Sequence, residues 1–160
     1  MRQAFPQLGL VPVLATLAAV PAEILYIEDN LSVANGLRRL FVSAGMACDH
    51  AATARQALDY LSQHLPRLIV SDFGLPDMNG LELIKLIRAD ERTQALPFIV
   101  FSASIDTHLA NLLLEAGATA CCPKADVEGL LRLVEESLGQ SGTRRREAQS
   151  PAAHTSQRSR

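Results

Sequence analysis

The sequence predicts an α/β fold: one five-stranded parallel sheet, doubly wound, with helices covering both faces. Five short apolar runs alternate with five helix-period stripes between residues 23 and 139, the rhythm of repeated strand–helix units. The runs are mostly continuous rather than alternating, as strands buried on both faces are. Each is separated from the next by enough chain for a helix, as parallel neighbours require, and the crossovers are expected to be right-handed.

Ile24-Leu25-Tyr26-Ile27 is the first strand and ends in Glu28-Asp29-Asn30. Ala34, Leu37, Phe41 and Ala44 follow at helical spacing, with Gly45 suited to the helix C-terminus. Met46 to Ala51 is a weak second strand. Ala54, Ala57, Leu58, Leu61 and Leu65 mark a second helix, closed by Pro66. Leu68 to Ser71 is the third strand. Asn79 and Glu82 have the spacing of a capping box and open a third helix carrying Leu83, Ile84 and Ile87. Pro97 to Phe101 is the fourth strand. Leu109, Leu112, Leu113 and Ala116 form the core stripe of a fourth helix, stopped by Gly117. Thr119 to Cys122 is a brief fifth strand, and Val127, Leu130, Val134 and Leu138 mark the fifth helix.

The bounds agree with one domain. The chain has 160 residues, and 48% of them are hydrophobic, enough for a real core. A net charge of −2 provides no strong field toward nucleic acid or membrane. Cys48, Cys121 and Cys122 form no metal-ligand pattern. Free thiols fit a reducing cytosol, so a cytoplasmic location is expected.

Both ends differ from the middle. Residues 1–22 form an apolar N-terminal extension. Leu8 to Pro21 is too short for a membrane span and is interrupted by Pro12. Val20-Pro21-Ala22 only loosely resembles a signal-peptidase site. An extension or short helix packed on the domain, or on a second copy, is the preferred reading. Residues 140–160 are rich in Ser, Gln and Arg and are expected to form a disordered basic tail. The tail is too short and polar for a folded DNA-binding module, and no helix-turn-helix pattern appears, so no direct nucleic-acid binding is expected.

In open parallel sheets, ligands bind beyond the carboxyl ends of the strands. Strand one ends in Glu28 and Asp29, strand three in Asp72, strand four in Ser102-Ala103, and strand five leads into Lys124. A carboxylate at a buried strand end is costly unless stabilised, and three together repel. A hard divalent cation resolves this, and an oxygen-rich, partly hydrated site suits Mg²⁺. Lys124 and Ser102 complement an anion beside it. A metal, a nucleophilic carboxylate and an anion clamp describe phosphoryl transfer to an aspartate. Each residue taken singly has a plainer use: Glu28 and Asp29 as caps of the first helix, Ser102 as another cap, Lys124 as a solvated lysine, and Asp77 as a turn residue after Pro76.

The pieces "ILYIEDN", "LIVSDFGLPDMNGLELI", "FIVFSAS" and "GATACCPKA", in that order and spacing, make residues 23–139 resemble a bacterial response-regulator receiver domain of two-component signalling. The resemblance implies a flavodoxin-like (βα)5 fold with strand order 2-1-3-4-5. It implies phosphorylation of Asp72, with Ser102, the Ala103 amide and Lys124 around the phosphoryl group. It implies Mg²⁺ held by Asp29, Asp72 and the Gly74 carbonyl, with Glu28 acting through water. The implied phosphodonor is a histidine kinase or histidine phosphotransfer protein. The implied output is a partner protein, or self, through the face made by the fourth helix, fifth strand and fifth helix, where Leu114 is an apolar group that the core stripe does not require. Such a protein is a signalling phosphoacceptor that assists its own phosphorylation and dephosphorylation, rather than an enzyme.

Two features depart from the family pattern. Pro123 precedes Lys124 and Ala125 follows it, where many members have proline after the lysine. Cys121 stands where the family often carries a switch aromatic. The alternative reading is therefore a receiver-fold adaptor that does not cycle phosphate.

Overall fold

The computed structural model describes residues 22–148, with side chains described through Gly139. The elements are β1 (Ile24–Ile27), α1 (Leu31–Ser43), β2 (Cys48–Ala51), α2 (Ala54–Gln63), β3 (Leu68–Ser71), α3 (Gly80–Ala89), β4 (Phe98–Ser102), α4 (Thr107–Glu115), β5 (Ala120–Pro123) and α5 (Val127–Ala148). The strands form one parallel sheet in the order β2-β1-β3-β4-β5. The expected fold class and strand order both hold.

Alternate residues of each strand feed two cores. Leu25, Ile27, Ile69 and Val100 pack with residues of α2, α3 and α4, including Leu61, Leu83, Ile87 and Leu113. Ile24, Tyr26, Val70, Ile99 and Phe101 pack on the other side with α1 and α5, through Leu37, Phe41, Leu130 and Val134. Cys121 belongs to the first side and Cys122 to the second, as the period of two demands. β1, β3 and β4 are buried throughout, whereas β2, an edge strand, exposes Asp49 and His50.

Helix termini follow local chemistry. Asn30 caps α1 by accepting from the Ser32 and Val33 amides at 3.0 and 3.2 Å. Gly45 follows α1 at φ +77°, the left-handed region that favours glycine. The expected capping box of α3 is present, with the Glu82 amide donating to Asn79 and the Asn79 amide to Glu82. Gly80 sits at a close approach: a Cβ there would lie 3.1 Å from Phe73 Cα, a tight contact that glycine avoids.

Several expected boundaries and burials are corrected. β2 begins at Cys48 rather than Met46, and β4 and β5 each lie one residue later than expected. Ala44 is the exposed C-cap of α1, and Leu65 lies beyond α2 with 38% exposure. On α4 only Leu113 is fully buried. Leu109 and Ala116 are half-buried and Leu112 is exposed, because α4 covers the β5 edge and presents a narrow inner face. Val127, in the first turn of α5, is also exposed. The domain boundary expected at 139 falls inside α5, which runs to Ala148. A polar stretch is compatible with helix, since an established helix propagates cheaply through residues such as Gln, Arg, Glu and Ala. The N-terminal extension over residues 1–21 and the last residues of the expected tail, 149–160, lie outside the described residues.

Candidate functional site

The parallel registers bring four strand ends together. Ile27 pairs with Ser71, so Glu28 and Asp29 emerge beside Asp72. Ser102 pairs with Pro123, so Lys124 emerges beside Ser102, its amide donating to the Ser102 carbonyl at 3.0 Å. Beyond the strand, the Asp72 amide donates to the Ile27 carbonyl at 2.9 Å and holds Asp72 in line with the sheet.

The side chains converge in turn. Glu28, Asp29 and Asp72 each offer an oxygen, and these lie within 4.8 Å of one another. Lys124 Nζ donates to Glu28 Oε2 at 2.6 Å and lies 3.2 Å from Asp72 Oδ2. Glu28 is 1% exposed; its second oxygen, Oε1, accepts from the Asn30 amide at 3.1 Å. Asp72 Oδ1 accepts from the Phe73 amide at 2.7 Å, leaving Oδ2 turned to Lys124. Ser102 is buried at the end of β4, and Ala103 after it is exposed. Gly74 lies in the turn after Asp72, exposed and bridged to Asn79.

The plainer uses of these residues do not hold. Asn30, not Glu28 or Asp29, caps α1. Asp106, not Ser102, caps α4 by accepting from the Leu109 amide at 2.7 Å. Lys124 is not a solvated lysine; its side chain is 20% exposed and doubly paired. Burial pushes its ammonium pKa down, but the Glu28 hydrogen bond and the charges of Asp72 and Glu28 more than offset this, so it is raised. Asp77 is structural, and reaches further than a turn. Its two oxygens accept from the Ala54 and Arg55 amides at 3.0 and 2.8 Å, so it joins Thr53 in closing the start of α2.

Asp77→Ala is therefore expected to lower stability by about 1 kcal/mol, as loss of a helix cap does, without altering the acidic cluster. Burial alone would raise the Asp77 carboxyl pKa. The Arg55 and Ala54 amide bonds outweigh that and depress it. Its contribution is thus present above the ordinary aspartate value of about 3.9 and is lost as pH falls through the lower folded value. Thermal melts at neutral and acidic pH check both: the variant gap should close in acid.

Three contacts were not legible beforehand. His50 Nε2 lies 2.8 Å from the Glu28 carbonyl oxygen. The Phe73 amide fixes Asp72, and the Asn30 amide fixes Glu28. Only Asn30 left a signal in the sequence, as an Asn just ahead of a helical stripe.

The residues present fit Mg²⁺. The donors are all oxygens, as a hard cation demands. Three carboxylates face one ammonium, which leaves negative charge for a divalent ion to balance. Glu28, already bonded through both oxygens, suits a role through water, while Asp29 and Asp72 are the more accessible.

A family profile described as the response regulator receiver domain matches residues 24–148. The chain belongs to the response regulator receiver domain family. Receiver domains work in two-component signalling, so this chain is a signalling receiver. It is 34% identical over 86 residues to response regulator Rre1 of Synechocystis, covering 53% of this chain and 37% of that protein. The chain thus spans well under half of that relative. A response regulator receiver protein from Pseudomonas putida superposes with TM-score 0.67 at 31% identity, covering 74% of this chain and 98% of that one. The receiver domain of sensor histidine kinase PA1611 from Pseudomonas aeruginosa does so with TM-score 0.68 at 25% identity, covering 74% and 98%. That structure holds a magnesium ion coordinated in its active-site cleft.

Around the site, Cys121 is half-buried against the α2–α4 side, and burial pushes its thiol pKa up. It presents no ring to Ser102. The described residues contain no cis peptide bond, so Lys124–Ala125 is trans. No helix among the described residues is long and apolar enough to cross a membrane.

Proposed function

We propose that this receiver domain accepts a phosphoryl group on Asp72 from a phosphohistidine of a histidine kinase or histidine phosphotransfer protein, in a Mg²⁺-dependent reaction. The observation that carries the reading is Lys124 Nζ, set 3.2 Å from Asp72 Oδ2 while anchored on buried Glu28. An Asp72 carboxylate oxygen attacks phosphorus, the P–N bond to the donor imidazole breaks, and that imidazole leaves with its electron pair. Lys124 moves its charge from Asp72 onto the incoming phosphoryl oxygens. Ser102 and the Ala103 amide stand at the adjacent strand end to hydrogen-bond those oxygens. Asp29, Asp72, the Gly74 carbonyl and, through water, Glu28 would hold Mg²⁺, which supplies charge neutralisation between the acids and the phosphoryl group. The chain acts as a cytoplasmic phosphoacceptor that assists its own phosphorylation and dephosphorylation; no nucleic acid or membrane is bound directly. Treatment with a small acyl phosphate, followed by peptide mapping, tests the assignment: the label should sit on the peptide containing Asp72 and nowhere else.

Phosphorylation adds about −1.5 to −2 of charge, and a second copy or an output protein reads it through α4–β5–α5. Leu112, Leu114 and Val127, on α4 and α5, are exposed apolar groups, at 38%, 45% and 45%. Leu114→Glu should leave folding and labelling intact while weakening self-association or partner capture. Sedimentation velocity of the phosphodonor-treated protein checks this; unchanged association and unchanged capture would place the output face elsewhere.

The adaptor reading draws on Cys121, since a cysteine cannot swing a ring toward Ser102. It predicts no label on Asp72 and partner binding indifferent to phosphodonor, so the same labelling separates the two.

A further inference from the structure

We propose that His50 is a positioning residue for the acidic pair Glu28–Asp29, pinning the loop that presents them to Mg²⁺. The inference rests on the Mg²⁺ reading for its effect on metal, but its geometry stands independently. β1 and β2 pair Tyr26 with His50, and the β1–β2 ladder continues with the Glu28 amide donating to Ala51 O at 3.0 Å. Beyond it the chain turns away into α2, where the Ala52 amide donates to Gln56 Oε1. The Glu28 carbonyl is met instead by the His50 side chain, Nε2 to oxygen, at 2.8 Å. A carbonyl oxygen can only accept, so Nε2 carries the proton and donates.

The imidazole is itself held. It stacks on Tyr26 with ring centroids 4.9 Å apart and 23° between planes, and Tyr26 packs on Phe41. The donor is therefore aimed by a buried aromatic pair rather than swinging free on the edge strand. The Glu28 carbonyl belongs to the same peptide plane as the Asp29 amide, since the peptide bond is planar. Fixing that oxygen fixes where the Asp29 backbone starts and how the Glu28 side chain enters its bonds with the Asn30 amide and Lys124. His50 thus orders both acids from outside the cluster. Partners that orient metal ligands in this way typically contribute 10–100-fold to affinity.

Two substitutions separate the donor from the ring. His50→Phe keeps the stack on Tyr26 and removes the N–H; His50→Gln removes the ring and keeps an N–H donor. Mg²⁺ titration of the full chain, followed by amide NMR, should show affinity about tenfold weaker in His50→Phe, at the low end of that range, and within about threefold of the parent in His50→Gln. A merely structural role would move melting temperature in both variants and leave Mg²⁺ affinity alone. Amide hydrogen exchange at Asn30 in chelator supplies a metal-free readout: it should quicken in His50→Phe and be restored in His50→Gln. If the parent binds no Mg²⁺, the metal reading fails, and the exchange measurement still decides whether His50 holds the loop. Parent-like exchange in His50→Phe, or a parent-like Mg²⁺ affinity there in a parent that does bind, overturns the proposal.

Discussion

Asp72→Asn should abolish phosphoryl incorporation, by at least about 100-fold, while leaving the fold in place. The substitution keeps shape and the capacity to accept the Phe73 amide, which donates to Asp72 Oδ1 at 2.7 Å. It removes the nucleophilic charge, and an amide oxygen is a far weaker nucleophile toward phosphorus than a carboxylate. The change also removes one of the three carboxylates that lie within 4.8 Å of one another. Repulsion in the metal-free protein falls, so the variant should melt no lower than the parent in chelator, and Mg²⁺ should stabilise it less. Intact mass after acyl phosphate treatment, with melting curves with and without Mg²⁺, checks both expectations. Residual labelling at the parent level would move the acceptor to another residue.

Lys124→Ala should have the largest effect on stability. It leaves Glu28, 1% exposed, without the ammonium now 2.6 Å away. Removing one partner of a buried ion pair costs about 3–5 kcal/mol, because an uncompensated charge stays buried. For a domain of this size that lowers the melting temperature by roughly 10 °C. Mg²⁺ should recover part of the loss, since a cation beside Asp29 and Asp72 also screens Glu28. The raised Lys124 pKa sets the pH window. The pair's contribution is complete below the unfolded lysine value of about 10.4 and is lost as pH rises through the higher folded value, so it is undiminished at neutral pH. Labelling should persist at a slower rate, while the response of partner binding or self-association to phosphodonor disappears. A variant that melts like the parent in chelator, or that still changes its association on labelling, contradicts the role given to Lys124.

Much of this architecture was legible because local chemistry and global pattern agree. The run Leu68–Ser71 ending in Asp72, and the box of Asn79 with Glu82, need no tertiary information to be read. The convergence of Glu28, Asp29, Asp72, Ser102 and Lys124 followed from one rule about strand ends. Strand order did not follow from periodicity, because apolar runs do not record which neighbour they pair with; the family resemblance carried it. The α4 stripe misled at Leu112 because periodicity marks an apolar face without saying how much of it a single edge strand can cover. α5 outran its expected end because composition reports burial rather than helix. His50 was illegible because its bond to Glu28 depends on the β1–β2 register and on where β2 leaves the sheet.

The most direct measurement is intact mass of the full chain after acyl phosphate treatment, with Mg²⁺ and in excess chelator. The account predicts one added phosphoryl group with Mg²⁺ and none in chelator. Labelling that ignores the chelator, or an unchanged mass in the presence of Mg²⁺, would contradict it.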